Sequence, residues 1–212
     1  MIVQGTEILT SLLHIISESL LTPVVIAIVV FIVIVLLCLG SFINEAISRK
    51  ALNSKDLEEL IRKISKSSSS SQLNDVINES NLFKEQKNIL ITIANNYDIG
   101  SEARKALASK LIEEEESNLI KITSKTDVLV RLGPIVGLLG TLIPLGPGLS
   151  ALGSGDIITL AQSLTIAFDT TVTGLTVGAI AFIISKYRKQ WYEEDLSTTE
   201  ALAETMLENL NK

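Results

Sequence analysis

From Val24 to Leu39 every residue is apolar, and the run extends from Pro23 to about Phe42. A helix rises 1.5 Å per residue, so about 20 residues cross the hydrocarbon layer of a bilayer. The run fits one crossing. A cleaved signal peptide would open with a basic segment and have a shorter apolar core, but no Lys or Arg precedes the run; the expectation is a retained span. A second block covers 132–152, rich in Gly and carrying Pro134, Pro144 and Pro147. A third covers 157–185, long enough to tilt or to project beyond the bilayer. Only Gly153, Ser154, Gly155 and Asp156 separate the two, which predicts a tight hairpin. The expected fold class is all-α: an integral membrane protein with three transmembrane helices and long helices extending into the cytoplasm.

Orientation follows from the basic residues, which favour the cytoplasmic side. All 18 Lys and Arg lie between Arg49 and Arg131 or from Lys186 onward, and none precedes the first span or falls in the 153–156 turn. An N-out, C-in arrangement accounts for every one. The expected layout is an outer interfacial helix over 1–22, spans over 23–42, 132–152 and 157–185, a cytoplasmic helical segment over 43–131, and a cytoplasmic helical tail over 186–212.

The net charge of −6 argues against nucleic acid as a partner, because binding phosphates needs a basic face. Cys38 is the single cysteine and lies inside the first apolar run; His14 is the single histidine. Intramolecular disulfides, thiolate clusters and multi-histidine metal sites are therefore excluded, and no cofactor is expected. His14 reads as a polar tip on an interfacial helix. No phosphate loop, dinucleotide fingerprint, zinc-protease motif or nucleophile elbow occurs, so an enzyme is not expected.

The polar parts read as helices. Ile8, Leu9, Leu12, Leu13, Ile15 and Ile16 recur at helical spacing among Glu7, Ser11, His14 and Glu18, a pattern suited to lying in the interface. The alternative is an N-terminal extension of the first span, stopped or kinked at Pro23. Between Asn44 and Arg131 a helix is expected over 56–64 with Ser54 as N-cap, then a linker at Ser67–Ser71, and further helices over 72–79, 82–96 and 101–131. The acidic run Glu113–Glu116 reads as a solvated face.

Polar groups inside the apolar blocks carry the functional information. The second block has Thr141 near its middle; the third has Gln162, Ser163, Thr165, Asp169, Thr170, Thr171, Thr173 and Thr176. Gly133, Gly137 and Gly140 fall at small-residue spacing, as do Gly174 and Gly178, which predicts close helix packing. A single threonine can satisfy its hydroxyl on the carbonyl four residues back, but a cluster this dense points to a helix facing protein or water on most sides. Asp169 sits near the centre of its block. A charge there costs roughly 2.5 kcal/mol on insertion scales, and no Lys or Arg lies in any span to neutralise it. It must face a hydrated lumen, carry a proton, or accept hydrogen bonds from Thr165 and Thr173 one turn away. Thr141, Thr171 and Asp169 lie at similar depth and would form a polar layer. Three helices alone cannot enclose a pore of this composition, so an oligomer is implied.

At these residues the chain resembles the MotA/TolQ/ExbB proton-channel family, most like its TolQ and ExbB branch. Arg131-Leu-Gly-Pro-Ile-Val-Gly-Leu-Leu-Gly-Thr141 is similar to the family's AP-L-LG-L-GT signature, and Ala167-Phe-Asp-Thr-Thr-Val-Thr-Gly-Leu175 to its ALxATxxGL signature. The resemblance implies a homopentamer around two copies of a single-span MotB/TolR/ExbD-type partner, in the cytoplasmic (inner) membrane, with proton entry coupled to motion between the two. It makes Thr141 and Thr171 the two pore threonines; Asp169 and Thr170, from their place in the polar cluster, are the further candidates for the ion pathway. Where that branch usually has a glutamate, five residues before the second threonine, this chain has Ile166. Asp169, three residues later, falls about 60° around the helix and is read as a shifted substitute. The proline typical after the third-span motif is absent around Ala179–Phe182. Flagellar stators carry a fourth span, which this chain lacks. Two other readings are a membrane-anchored helical scaffold that docks cytoplasmic proteins without conducting, and a self-contained channel that needs no partner.

Overall fold

A computed structural model describes residues 4–49, 52–67 and 69–210. Among them every regular element is helical: α1 (Gln4–Ser19), α2 (Leu21–Ser48), α3 (Ser54–Lys66), α4 (Ser70–Glu79), α5 (Lys84–Asn95), α6 (Ser101–Gly153) and α7 (Ile157–Asn209). Three stretches are long and apolar enough to cross a membrane: Glu7–Ser48, Ser101–Gly153 and Ile157–Asn209. The helix expected over 101–131 and the second apolar block are one unbroken helix, α6, and the third block continues without interruption along α7. The expected segments before Gln4 and after Leu210 lie outside the described residues.

The chain divides into two compact units, the first made of 1–44 and 124–186 and the second of 45–123 and 187–212. In the first unit, α1 gives way to α2 at Leu20, three residues before Pro23. That offset is what proline dictates: its ring clashes with the carbonyl four residues earlier, here Ser19, so the preceding turn breaks and the proline itself fits the first turn of the new helix. Val24, Ile28 and Val35 recur on one face of α2 and are the buried residues of that helix. Val24 and Ile28 pack with Ile143 of α6, and Val35 packs with Leu129 of α6 and Val177 and Ala181 of α7. Only 17% of the apolar window of the first span is buried within the chain. The rest of its surface is suited to lipid or to other protein.

The second unit has a soluble-type core. α4 packs on both α3 and α5, and Leu60, Ile64, Leu73, Ile77, Leu90 and Ile93 close around Leu202 and Met206 of α7. The N-cap of α3 is Asn53, whose side chain accepts from the Ser54 backbone N–H at 2.9 Å; Ser54, expected in that role, is the first helical residue. Both residue types suit a cap, and one position decides between them. In the serine run, Ser67 closes α3 and Ser69 caps α4 by accepting from the Gln72 N–H; Ser68 lies outside the described residues.

Two ion pairs within this unit tie the last turn of α2 and the residue that follows it to α7. Arg49 donates to Asp195 at 2.7 Å and to the Trp191 carbonyl at 2.9 Å, with its guanidinium about 5 Å from the rings of both Phe83 and Trp191. Arg188 donates to Glu45 at 2.8 Å. Burial pushes the Asp195 carboxyl above its usual range, and the Arg49 charge opposes that shift without cancelling it. The Tyr192 phenol is pushed up to about 12, first by burial and then by its hydrogen bond to Glu45. A cavity of about 510 Å³ opens beside these groups, but Arg49, Asp195, Gln86 and Thr199 on its wall already bond one another or neighbouring backbone.

Candidate ion-pathway site

The site is built on the antiparallel hairpin of α6 and α7 in the first unit. Its turn is Ser154–Asp156, with Gly155 at φ +82°, a backbone conformation that side chains on Cβ disfavour. Asp156 caps α7: its carboxylate accepts from the Thr159 backbone N–H at 3.1 Å and from the Thr159 hydroxyl at 2.6 Å. These bonds, the hydroxyl's first, hold the Asp156 carboxyl below its usual range.

Below the turn the two helices touch backbone to backbone. A Cβ on Gly133 would stand 2.9 Å from the Gly174 carbonyl oxygen, and one on Gly137 would stand 3.1 Å from the Thr170 carbonyl oxygen. A Cβ on Gly178 would stand 2.8 Å from the Pro134 ring. Pro134 lacks the N–H that would bond Val130, and close helix packing is the setting in which spans tolerate such a loss. The facing residues keep an antiparallel register to within one residue: Gly148 with Ser163, Thr141 with Thr171, Gly137 with Gly174, Gly133 with Gly178 and, farther on, Asp127 with Ser185.

Thr141 and Thr171 meet in this seam, their hydroxyls hydrogen-bonded to each other across the two helices. The Gly137 carbonyl lies 3.2 Å from the Thr141 hydroxyl oxygen and 3.3 Å from that of Thr171, and the Ala167 carbonyl is 3.4 Å from Thr141. The absent side chain of Gly137 is what lets a threonine of α7 reach a carbonyl of α6. Both threonines are partly exposed. The pair is a small group of donors and acceptors about 20 Å from the turn, taking 1.5 Å per residue.

Thr170 is placed differently. It is buried against Gly140, where a Cβ would stand 2.5 Å from the Thr170 Cβ, and its hydroxyl bonds the Ile166 and Ala167 carbonyls of its own helix. Asp169 is exposed. Of the three settings open to Asp169, a hydrogen bond from Thr165 is not the one found: the Thr165 hydroxyl donates to the Ala161 carbonyl at 3.0 Å, the satisfaction a lone helical threonine finds most cheaply. Asp169 falls on a stripe with Gln162, Thr165, Thr173 and Thr176, four of the five exposed and Thr173 half-buried. The stripe is polar along its length, while Phe168 and Val172 beside it are apolar and more than 60% exposed.

Sequence reading missed two facing pairs, Gly148 with Ser163 and Asp127 with Ser185. The Ser185 hydroxyl donates to Asp127 at 2.5 Å. The second pair follows from the register once Thr141 is set against Thr171, since it lies fourteen residues out on each helix; the first is one residue off that count.

No curated protein matches the chain. The family model for the MotA/TolQ/ExbB proton channel family matches residues 39–201, most of the chain, including both threonines and the whole seam. The chain is a membrane protein of the MotA/TolQ/ExbB proton channel family.

Proposed function

We propose that the chain is the multi-copy channel subunit of a proton-driven motor of the TolQ/ExbB branch, working in the cytoplasmic membrane with a single-span MotB/TolR/ExbD-type partner. In this reading five copies surround two copies of the partner, with the N-terminus outside and the C-terminus inside. Residues 23–42, 132–152 and 157–185 lie in the bilayer, 1–22 on its outer face, and 43–131 and 186–212 in the cytoplasm. Thr141 and Thr171 line the pathway, Asp169 supplies its carboxylate from the exposed stripe of α7, and Thr170 packs behind them. The five glycines hold the hairpin rigid around that layer.

The observation that carries the reading is the Thr141–Thr171 bond, set deep in the seam between two apolar helices of a proton-channel family. Asp169 supports it. A carboxylate on the outside of a single chain, in an apolar segment, would cost roughly 2.5 kcal/mol or more against lipid, so its stripe belongs against water or another subunit.

The test is proton flux in proteoliposomes holding the chain and a co-expressed single-span protein of the MotB/TolR/ExbD type. Flux that needs both proteins and falls in Asp169→Asn and Thr171→Ala is the expected result. A stable complex that conducts in no combination overturns the reading in favour of a non-conducting scaffold.

A further inference from the structure

Three carboxylates punctuate the part of the α6–α7 hairpin that lies in the first unit: Asp156 at the turn, Asp169 on the exposed stripe and Asp127 toward the other end. Asp156 caps a helix and Asp169 belongs to the pathway above. Asp127 has neither role.

Asp127 precedes Thr141 by 14 residues, and Ser185 follows Thr171 by the same interval. Fourteen residues are close to four helical turns, so the two pairs occupy the same helix faces about 21 Å apart. Between them the seam is glycine against glycine. Arg131, the one charged residue of α6 in that interval, is exposed. Asp127 is thus the first ionisable side chain met in the seam beyond the threonine layer. It is half-buried beside Thr126, which is wholly buried, and it accepts the hydroxyl of Ser185, which is 4% exposed.

The chemistry of this pair suits a proton better than it suits a structural cap. A serine hydroxyl donates to an ionised carboxylate and can rotate to accept from a protonated one. The Asp127–Ser185 bond therefore survives in both protonation states with its direction reversed.

We propose that Asp127, supported by Ser185 as a positioning residue, is a proton relay at the end of the seam remote from the turn. A hydronium that has passed the threonine layer gives its proton to a carboxylate oxygen of Asp127 and leaves as water. The new O–H bond then breaks toward water on the cytoplasmic side, its electron pair returning to the carboxylate, so the residue ends unchanged. This rests on the motor reading and adds to it a station that the layer of Thr141, Thr171 and Asp169 does not contain.

Asp127→Asn is the decisive variant, because the amide oxygen still accepts from Ser185 while the side chain cannot take a proton. In proteoliposomes holding the chain and its single-span partner, Asp127→Asn is expected to lower proton flux about a hundredfold, the scale of a lost proton-transfer group. Asp127→Glu is expected to restore most of it and Ser185→Ala to fall between, with all complexes eluting intact from size exclusion. Should Asp127→Asn fail to assemble, the wild-type complex is followed by infrared spectroscopy through a pH step: a carboxyl band that Asp127→Glu displaces supports the relay, and a spectrum unaltered by Asp127→Glu overturns it. Wild-type flux that Asp127→Asn leaves unchanged overturns the relay alone. A wild-type complex that does not conduct overturns the motor reading, and the relay with it.

Discussion

Gly174 and Gly137 face each other so closely that a Cβ built on Gly174 would stand 2.7 Å from the Gly137 Cα and 2.6 Å from the Gly133 carbonyl oxygen. The atoms in the way are backbone, so neither helix can yield without moving whole. Gly174→Ala is expected to destabilise the folded chain by about 1–3 kcal/mol, the range for overpacking a close contact. Gly146→Ala, on the same helix pair with open space around it, is expected to be neutral or stabilising by up to ~1 kcal/mol. Thermal unfolding of the purified protein in detergent, followed by circular dichroism, compares the two.

The threonine pair separates conduction from folding. One hydrogen bond contributes about 1 kcal/mol net, and Thr141 keeps carbonyls within reach if Thr171 loses its hydroxyl. Thr171→Val is therefore expected to unfold within a few degrees of wild type while losing proton flux, and Thr171→Ser to keep most of both. Paired melting and flux measurements on the two variants check this.

The polar stripe of α7 makes a labelling prediction. In a Cys38→Ser background, Thr165→Cys, Asp169→Cys and Thr176→Cys are expected to react with a small hydrophilic thiol reagent in membranes. Phe168→Cys and Val172→Cys, equally exposed in a single chain, are expected to stay unlabelled in lipid. Uniform protection of all five would place the stripe in a dry contact and remove Asp169 from the pathway.

Orientation is checked the same way. Ser154→Cys, in the turn, is expected to react from outside intact cells, and Ser197→Cys, on the distal part of α7, only after the membrane is opened. The reverse pattern would invert the proposed topology.

Asp195 gives the second unit a pH dependence whose sign can be stated. Its folded pKa is raised, mainly by burial, so the folded state binds more protons than the unfolded state between the ordinary carboxylate value and the folded one. Stability must then fall as pH rises through that window. This is opposite to the behaviour of a carboxylate whose pKa its partner depresses. The slope of melting temperature against pH is expected to flatten in Asp195→Asn, whose side chain does not titrate in that window.

The membrane-facing parts were legible because lipid imposes a length and a composition on each crossing. The apolar run 24–39, the glycine spacing and the centrally placed threonines could all be read without coordinates. What could not be read were relations across helices. The end of the second apolar block near 132 looked like a boundary, yet α6 runs through it, because a change from charged to apolar residues alters a helix's solvent and not its hydrogen bonds. Asp127 went unnoticed for the same reason: it lies just outside the apolar block and gains its meaning only from Ser185, 58 residues away. The break at Leu20 was offset from Pro23 because proline acts on the turn before it. The core around Leu73, Ile93 and Met206 joins five helices whose individual stripes do not say which partner each one meets.

The one-for-one register of α6 and α7 bears on how such a hairpin can drift in sequence. An extra residue inside either helix would turn everything on one side of it by about 100°, setting Asp127 away from Ser185 or the glycines against bulky side chains. An extra residue at Ser154–Asp156 would disturb none of the facing pairs. Length variation among descendants of this chain is therefore confined to the tip, and the interval between any two seam positions on one helix can change only if the other helix changes in step.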